Sequence, residues 1–151
     1  MTRVDFYLLN NDPAGGRDTT ALKDVAVCRL TNKAFLLGHR VYIHAADTEQ
    51  AQRLDALLWT FSAGSFIPHA FAPDADDTLP VVLGQDEPPE AFDDVLITLA
   101  PDVPAYFSRF RRVAEVVGDS DEDKRLARER FRFYRERGYE LQTHHLGGER
   151  P

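Results

Sequence analysis

The stretch RVYIHAADTEQAQRLDALL, Arg40 to Leu58, reads as one unit of strand, cap and helix. Arg40 to Ala45 is short and rich in β-branched and aromatic residues, which predicts a buried strand. Asp47 stands where a helix N-cap is wanted, and Leu54, Leu57 and Leu58 repeat at helical spacing. Upstream, Val4 to Leu9 (VDFYLL) predicts another buried strand, stopped by Asn10-Asn11-Asp12-Pro13. After Gly15-Gly16, Thr19 or Thr20 caps a helix reaching about Leu37. Leu22, Val25, Ala26, Leu30, Ala34 and Leu37 form its apolar stripe, and Gly38 ends it. Strand, helix, strand, helix with short connections predicts a parallel α/β core with right-handed crossovers.

The second helix delivers the only tryptophan, Trp59. Ser62-Ala63-Gly64-Ser65 then breaks it, and Phe66-Ile67-Pro68-His69 follows. Trp59, Phe66 and Ile67 thus surround a turn beside a residue of fixed φ. They either plug the local core, which composition favours, or form an exposed anchor for another protein, which suits aromatics on a rigid turn.

Between Asp74 and Asp94 there are eight acids and no bases, with Pro80, Pro88 and Pro89. Only Val81-Val82-Leu83 reads as a strand there, and the rest as a solvated acidic loop. Val95 to Leu99 reads as a third strand, Ala105 to Phe110 as a short helix, and Arg112 to Val117 as an alternating strand. Asp119-Ser120-Asp121-Glu122-Asp123 caps a last helix, Lys124 to Arg137, with acids leading and bases trailing as the helix dipole favours. Ala127, Leu126, Phe133 and Tyr134 share one face of it. Arg125, Arg128, Arg132 and Arg135 share the other, and Phe131 lies on the border. Gly138 ends the helix, Tyr139 to His144 reads as an edge strand, and Leu146 to Pro151 as a frayed tail. The reading is one domain over residues 1–146 with residues 147–151 as tail.

With 151 residues, 43% hydrophobic and 28% charged, the chain has the composition of a soluble globular domain. It has no apolar run of about 18 residues to span a membrane and no secretory pattern, so the expected location is cytoplasmic. Cys28 is the only cysteine, which excludes an internal disulfide and a thiolate metal cluster. A net charge of −7 argues against strong direct binding to nucleic acid, although a local basic patch remains compatible with it.

Chemistry-bearing motifs are scarce. The loop after the first strand has Gly15-Gly16 in place of GxGxxG, and no Walker sequence, GxSxG elbow or HExxH occurs. His144-His145 is an adjacent pair without obvious co-ligands, and Asp5 has no identifiable partner in the sequence. Nothing here argues for catalysis, a cofactor or a metal. The arginine stripe with Phe131 reads as a solvated face pairing with Glu129 and Glu136, as a receptor for an acidic peptide carrying a terminal aromatic, or as a single-stranded nucleic-acid surface.

Several segments in order, FYLLNND (Phe6 to Asp12), LDALLW (Leu54 to Trp59), SFIPH (Ser65 to His69), DVLITL (Asp94 to Leu99) and RLARERFRFYRERGYEL (Arg125 to Leu141), resemble the chi subunit family of bacterial DNA polymerase III holoenzyme. The resemblance implies a Rossmann-like α/β fold, a mostly parallel sheet flanked by helices without a nucleotide-binding loop. It implies an accessory subunit of a DNA-directed DNA polymerase without activity of its own. Its partners would be the psi subunit, the clamp loader through psi, and the acidic, phenylalanine-ended tail of single-stranded DNA-binding protein. A Rad3-like repair helicase would use the surface that psi uses. Trp59, Phe66 and Pro68 match psi-facing positions, which turns the anchor into the favoured reading of that turn. Arg128 matches an arginine of the tail site. Phe131 stands where a tyrosine is familiar and Arg132 where a lysine is, and both changes keep a ring and a cation. The Asp74 to Asp94 loop does not match the family well. The reading from a different class is a small-molecule or nucleotide-binding α/β domain using the loop after the first strand.

Overall fold

Seven strands and three helices make up the computed structural model, which describes residues 2–9, 19–62, 64, 66–72 and 78–146. The strands are β1 (Arg3–Leu9), β2 (Val41–His44), β3 (His69–Phe71), β4 (Val81–Gly84), β5 (Val95–Thr98), β6 (Arg112–Val117) and β7 (Glu140–Leu146). The helices are α1 (Thr19–Leu36), α2 (Thr48–Thr60) and α3 (Asp121–Glu136). One sheet holds all seven strands in the order β3-β4-β2-β5-β6-β1-β7, and every neighbouring pair is parallel. The α/β class expected from the sequence is therefore observed, with a sheet that is parallel throughout.

Local chemistry sets the element ends. The Asp47 side chain accepts from the Gln50 backbone N–H at 2.8 Å, and the Gln50 side chain accepts in turn from the Ala46 N–H at 2.6 Å. Ser120 caps α3 through the Asp123 N–H at 3.1 Å. Gly38 and Gly138 follow α1 and α3 at φ +90° and +82°, the left-handed conformation that glycine enters without steric cost.

Alternation along the strands sorts side chains into two cores. Val41, Ile43, Val81, Leu83, Val95 and Ile97 face α1 and α2, where they meet Val27, Leu54 and Leu58. Phe6, Tyr42, Val82, Leu96, Val113 and Val117 face α3, where they meet Ala127 and Tyr134. The direction of each crossover explains the split. From β1 to β2 and from β2 to β3 the chain moves one way along the sheet; from β6 to β7 it moves the other way. Right-handed crossovers run in opposite directions lie on opposite faces.

Several expectations are corrected. His69–Phe71 is an edge strand that the sequence did not suggest, because three residues carry too little period. The expected helix near Ala105 is a 3-10 turn, Phe107–Arg109. Leu146 closes β7 and is not part of a tail. The acidic stretch is not solvated throughout: Phe92 is fully buried, and the Arg40 guanidinium lies 4.2 Å over its ring. Arg109 Nη2 ties this segment down by donating to the carbonyls of Pro88, Pro89 and Phe92 at 3.0, 2.8 and 3.0 Å. Bases distant in sequence supply what the segment lacks. The Asn10–Asp12 stop, Gly15-Gly16, Ala63, Ser65, residues 73–77 and residues 147–151 lie outside the described residues.

Asp5 is also not partnerless. It is buried on β1 and accepts from Arg112 at 3.1 Å and from Arg3 at 3.3 Å, with His144 Nε2 at 2.9 Å. His144 stacks on Tyr7 with centroids 4.7 Å apart. A second buried acid, Glu115 on β6, accepts from Arg130 Nε at 2.8 Å and from the Tyr134 hydroxyl at 2.7 Å. Arg130 also donates to the Pro101 carbonyl at 3.0 Å. This network clamps α3 to the sheet and places an arginine on the helix face that periodicity assigned to apolar residues.

Two outcomes follow for stability. Glu115→Ala leaves Arg130 buried without its counter-charge and should cost about 3–5 kcal/mol in urea unfolding, while Glu115→Leu with Arg130→Met should recover most of that loss. A single-variant loss under about 1 kcal/mol would show that the pair is solvated in solution. Burial alone would raise the Asp5 carboxyl, but hydrogen bonds from His144 and Arg112 and the charges of Arg3 and Arg112 hold it below its ordinary value. Its stabilisation is therefore present above the unfolded pKa of 3.8 and lost as pH falls through the lower folded value. Wild type should lose stability more steeply below pH ~4 than Asp5→Asn does, and equal slopes would remove Asp5 from the acid transition.

Candidate functional site

Adjacent strands β1 and β6 send their following helices to opposite faces, α1 to one and α3 to the other. A crevice therefore opens outside their C-terminal ends, the switch point at which open parallel sheets bind ligands. Its two sides differ in chemistry.

The α3 side is an apolar cleft of about 250 Å³. Phe6 and Leu8 of β1, Val117 of β6 and Ala127 and Phe131 of α3 form its walls, with Thr143 of β7 at one edge and Lys124 and Arg128 at the rim. Phe131 is positioned by packing: its ring lies 5.3 Å from that of Phe6 at 58°. Arg128 is exposed and has no ion pair or hydrogen bond among the described residues. Lys124, one turn earlier, keeps a 3.1 Å pair with Asp119 while its side chain stays 44% exposed. An apolar slot with cations at its mouth suits a ring that carries or adjoins a carboxylate.

The α1 side is polar. Asp24, Asp119 and Asp123 line it with Lys23 and Arg53. Lys23 is engaged by Asp123 at 2.8 Å, and Arg53 by Asp24 at 2.9 Å. Asp123 also accepts from the Gly118 N–H at 2.9 Å, and a Cβ on Gly118 would come within 2.7 Å of that oxygen. Three carboxylates with both cations committed form a poor cradle for a phosphate on this side; the loop after β1, on which the nucleotide reading rests, lies outside the described residues.

The structure thus joins Arg128 and Phe131 in one cleft. Arg132 is exposed one turn further along α3 and is not in the cleft wall. Arg125 belongs to a solvated face, pairing with Glu122 at 2.8 Å and Glu129 at 2.9 Å. Sequence reasoning missed Lys124, whose only signal is its position four residues before Arg128. It also missed Phe6, Leu8 and Val117, which read simply as buried strand residues.

Around the other turn the three large apolar groups divide. Ile67 is fully buried, whereas Trp59 is 47% and Phe66 64% exposed. Their rings lie 5.5 Å apart, and Pro68 beside them is half-buried. Trp59 rests on the buried His69 ring at 4.3 Å. His69 is held through Nδ1 by the Ile67 carbonyl at 2.5 Å and through Nε2 by the Asp55 carbonyl at 3.0 Å. The exposed indole therefore sits on a fixed base, at little further cost in side-chain freedom if a partner covers it.

No helix among the described residues is long and apolar enough to cross a membrane, and no three His, Cys, Asp or Glu side chains among them are grouped so as to hold a metal ion. The fold and crevice define a doubly wound parallel α/β protein with an apolar cleft at its switch point. Residues 1–142 match the family described as DNA polymerase III chi subunit, HolC. The chain is 45% identical over 146 residues to DNA polymerase III subunit chi of Pseudomonas aeruginosa, covering 97% of this chain and 98% of that one. It is 34% identical over 145 residues to the protein of that name in Escherichia coli, covering 95% and 97%, and 27% identical over 148 residues to that of Haemophilus influenzae. The chain belongs to the DNA polymerase III chi subunit family.

Phe131→Ala should enlarge the cleft at a site that can collapse only partly, and we expect it to cost about 1–3 kcal/mol in thermal or urea unfolding. Arg128→Ala removes an exposed side chain with no partner among the described residues and should change stability by less than about 0.5 kcal/mol. A destabilising Arg128→Ala would mean that this arginine is part of the folded scaffold and not free for a ligand.

Proposed function

We propose that the protein is a non-catalytic adaptor of the replisome that receives the acidic, phenylalanine-ended tail of single-stranded DNA-binding protein in the cleft beside α3 and docks psi through Trp59, Phe66 and Pro68. The observation that carries the first half is the apolar slot with, at its mouth, an arginine that has no ion pair or hydrogen bond among the described residues. The terminal ring enters between Phe6, Leu8, Val117 and Phe131, and the carboxylates meet Arg128 and Lys124. Arg132, outside the slot, meets acids earlier in the tail. The second half rests on the half-exposed Trp59–Phe66 pair and its fixed footing on His69. Psi would connect the protein to the clamp loader, and a Rad3-like helicase would compete for the same surface.

The mechanism is tethering. Single-stranded DNA-binding protein coats the template while psi sits on the polymerase assembly. Weak contacts at each site gain effective concentration once both are engaged.

Calorimetric titration with an acidic peptide ending in phenylalanine tests the tail site. We expect Arg128→Ala to weaken binding at least tenfold, about 1.4 kcal/mol. Affinity should fall as ionic strength rises from about 0.05 to 0.5 M, because exposed ion pairs are screened. Binding that is insensitive to salt and to Arg128 would place the tail elsewhere.

A further inference from the structure

We infer that the docking surface at Trp59 and Phe66 continues round the end of α2 onto Leu36 and Leu37, and that psi covers both parts. This rests on the reading of Trp59, Phe66 and Pro68 as psi-facing.

A stable protein interface buries about 800 Å² on each partner. Trp59 and Phe66 are already partly covered, so between them they offer on the order of 200–250 Å² more. Pro68, half-buried, adds little. The footprint has to extend, and the exposed apolar groups show the direction. Leu36 and Leu37, 72% and 68% exposed, are the other large hydrophobic side chains standing in solvent among the described residues.

α1 and α2 pack side by side on one face of the sheet, and both return antiparallel to the strands. Their C-terminal ends therefore lie together. A groove of about 430 Å³ runs between them, bounded by Leu36 at the end of α1 and Leu37 just after it, and by Phe61 and Ser62 just after α2. Trp59 and Phe61, two residues apart, flank that helix end on opposite sides. A segment crossing the end of α2 meets Trp59 and Phe66 first and Leu36 and Leu37 next.

Charge specifies the occupant. Arg29 and Lys33 stand along the groove, exposed and without an ion pair or hydrogen bond among the described residues. Psi should therefore present apolar side chains flanked by carboxylates at this end of the interface.

The test is a binding titration of psi against the full chain, comparing wild type, Leu36→Ser with Leu37→Ser, and Trp59→Ala. Both leucines are exposed, so the double variant should fold. Affinity for the acidic, phenylalanine-ended peptide serves as the control and should be unchanged in both variants. We expect the double serine to weaken psi about tenfold or more, with Lys33→Glu adding a further loss that high salt abolishes. If Trp59→Ala weakens psi while the double serine stays within about twofold of wild type, the surface ends at Trp59 and the extension is wrong. If wild type does not bind psi, the reading beneath this inference fails and the extension with it. Wild-type self-association that the double serine removes would assign Leu36 and Leu37 to a second copy of this chain.

Discussion

The handedness of the parallel crossover governs this molecule. A strand that twists to the right accepts its following helix on one side only, so travel in opposite directions along a sheet places helices on opposite faces. Here β1 and β6 are neighbours, and the chain leaves them in opposite directions. The crevice between α1 and α3 is a consequence of that topology. Charge then divides it: committed aspartates fill the α1 side, and apolar strand ends with two rim cations form the α3 side.

Two buried acids hold this arrangement in register. Glu115 receives Arg130 and Tyr134 and fixes α3 over β6, which sets where Phe131 and Arg128 stand. Asp5 gathers Arg112, Arg3 and His144, joining β6, β1 and β7 on the sheet face opposite α3. The two surfaces proposed for partners lie at opposite ends of the molecule. The cleft is at the C-terminal ends of the strands, and the Trp59 patch is at the C-terminal ends of the returning helices. That separation lets one partner bind without displacing the other, as a tether requires.

Much of the fold was legible because local signals agreed. Asp47, Ser120, Gly38 and Gly138 mark helix ends through their own backbone chemistry, and runs such as Val95 to Leu99 have few alternatives in a parallel sheet. What escaped the sequence depends on distant residues. The burial of Phe92 needs Arg40 and Arg109, and the inward Arg130 needs Glu115; none of these partners is adjacent in the chain. The site was half legible: periodicity put Arg128 and Phe131 together on α3. The cleft opposite them is made by Phe6, Leu8 and Val117, whose side chains line a wall only once β1 and β6 pair. The same limit applied at Trp59, where composition could not separate the buried Ile67 from its exposed neighbours.

The adaptor reading stands or falls on whether the cleft beside α3 holds a terminal aromatic residue. The most direct measurement is a solution NMR experiment on the protein with an acidic peptide ending in a labelled phenylalanine, observing contacts from that ring to protein methyl groups. A ring seated in the cleft should contact Leu8, Val117 and Ala127 and displace the Phe131 resonance. Contacts to residues of the Trp59 patch instead, or a bound peptide whose terminal ring touches no cleft methyl group, would contradict it.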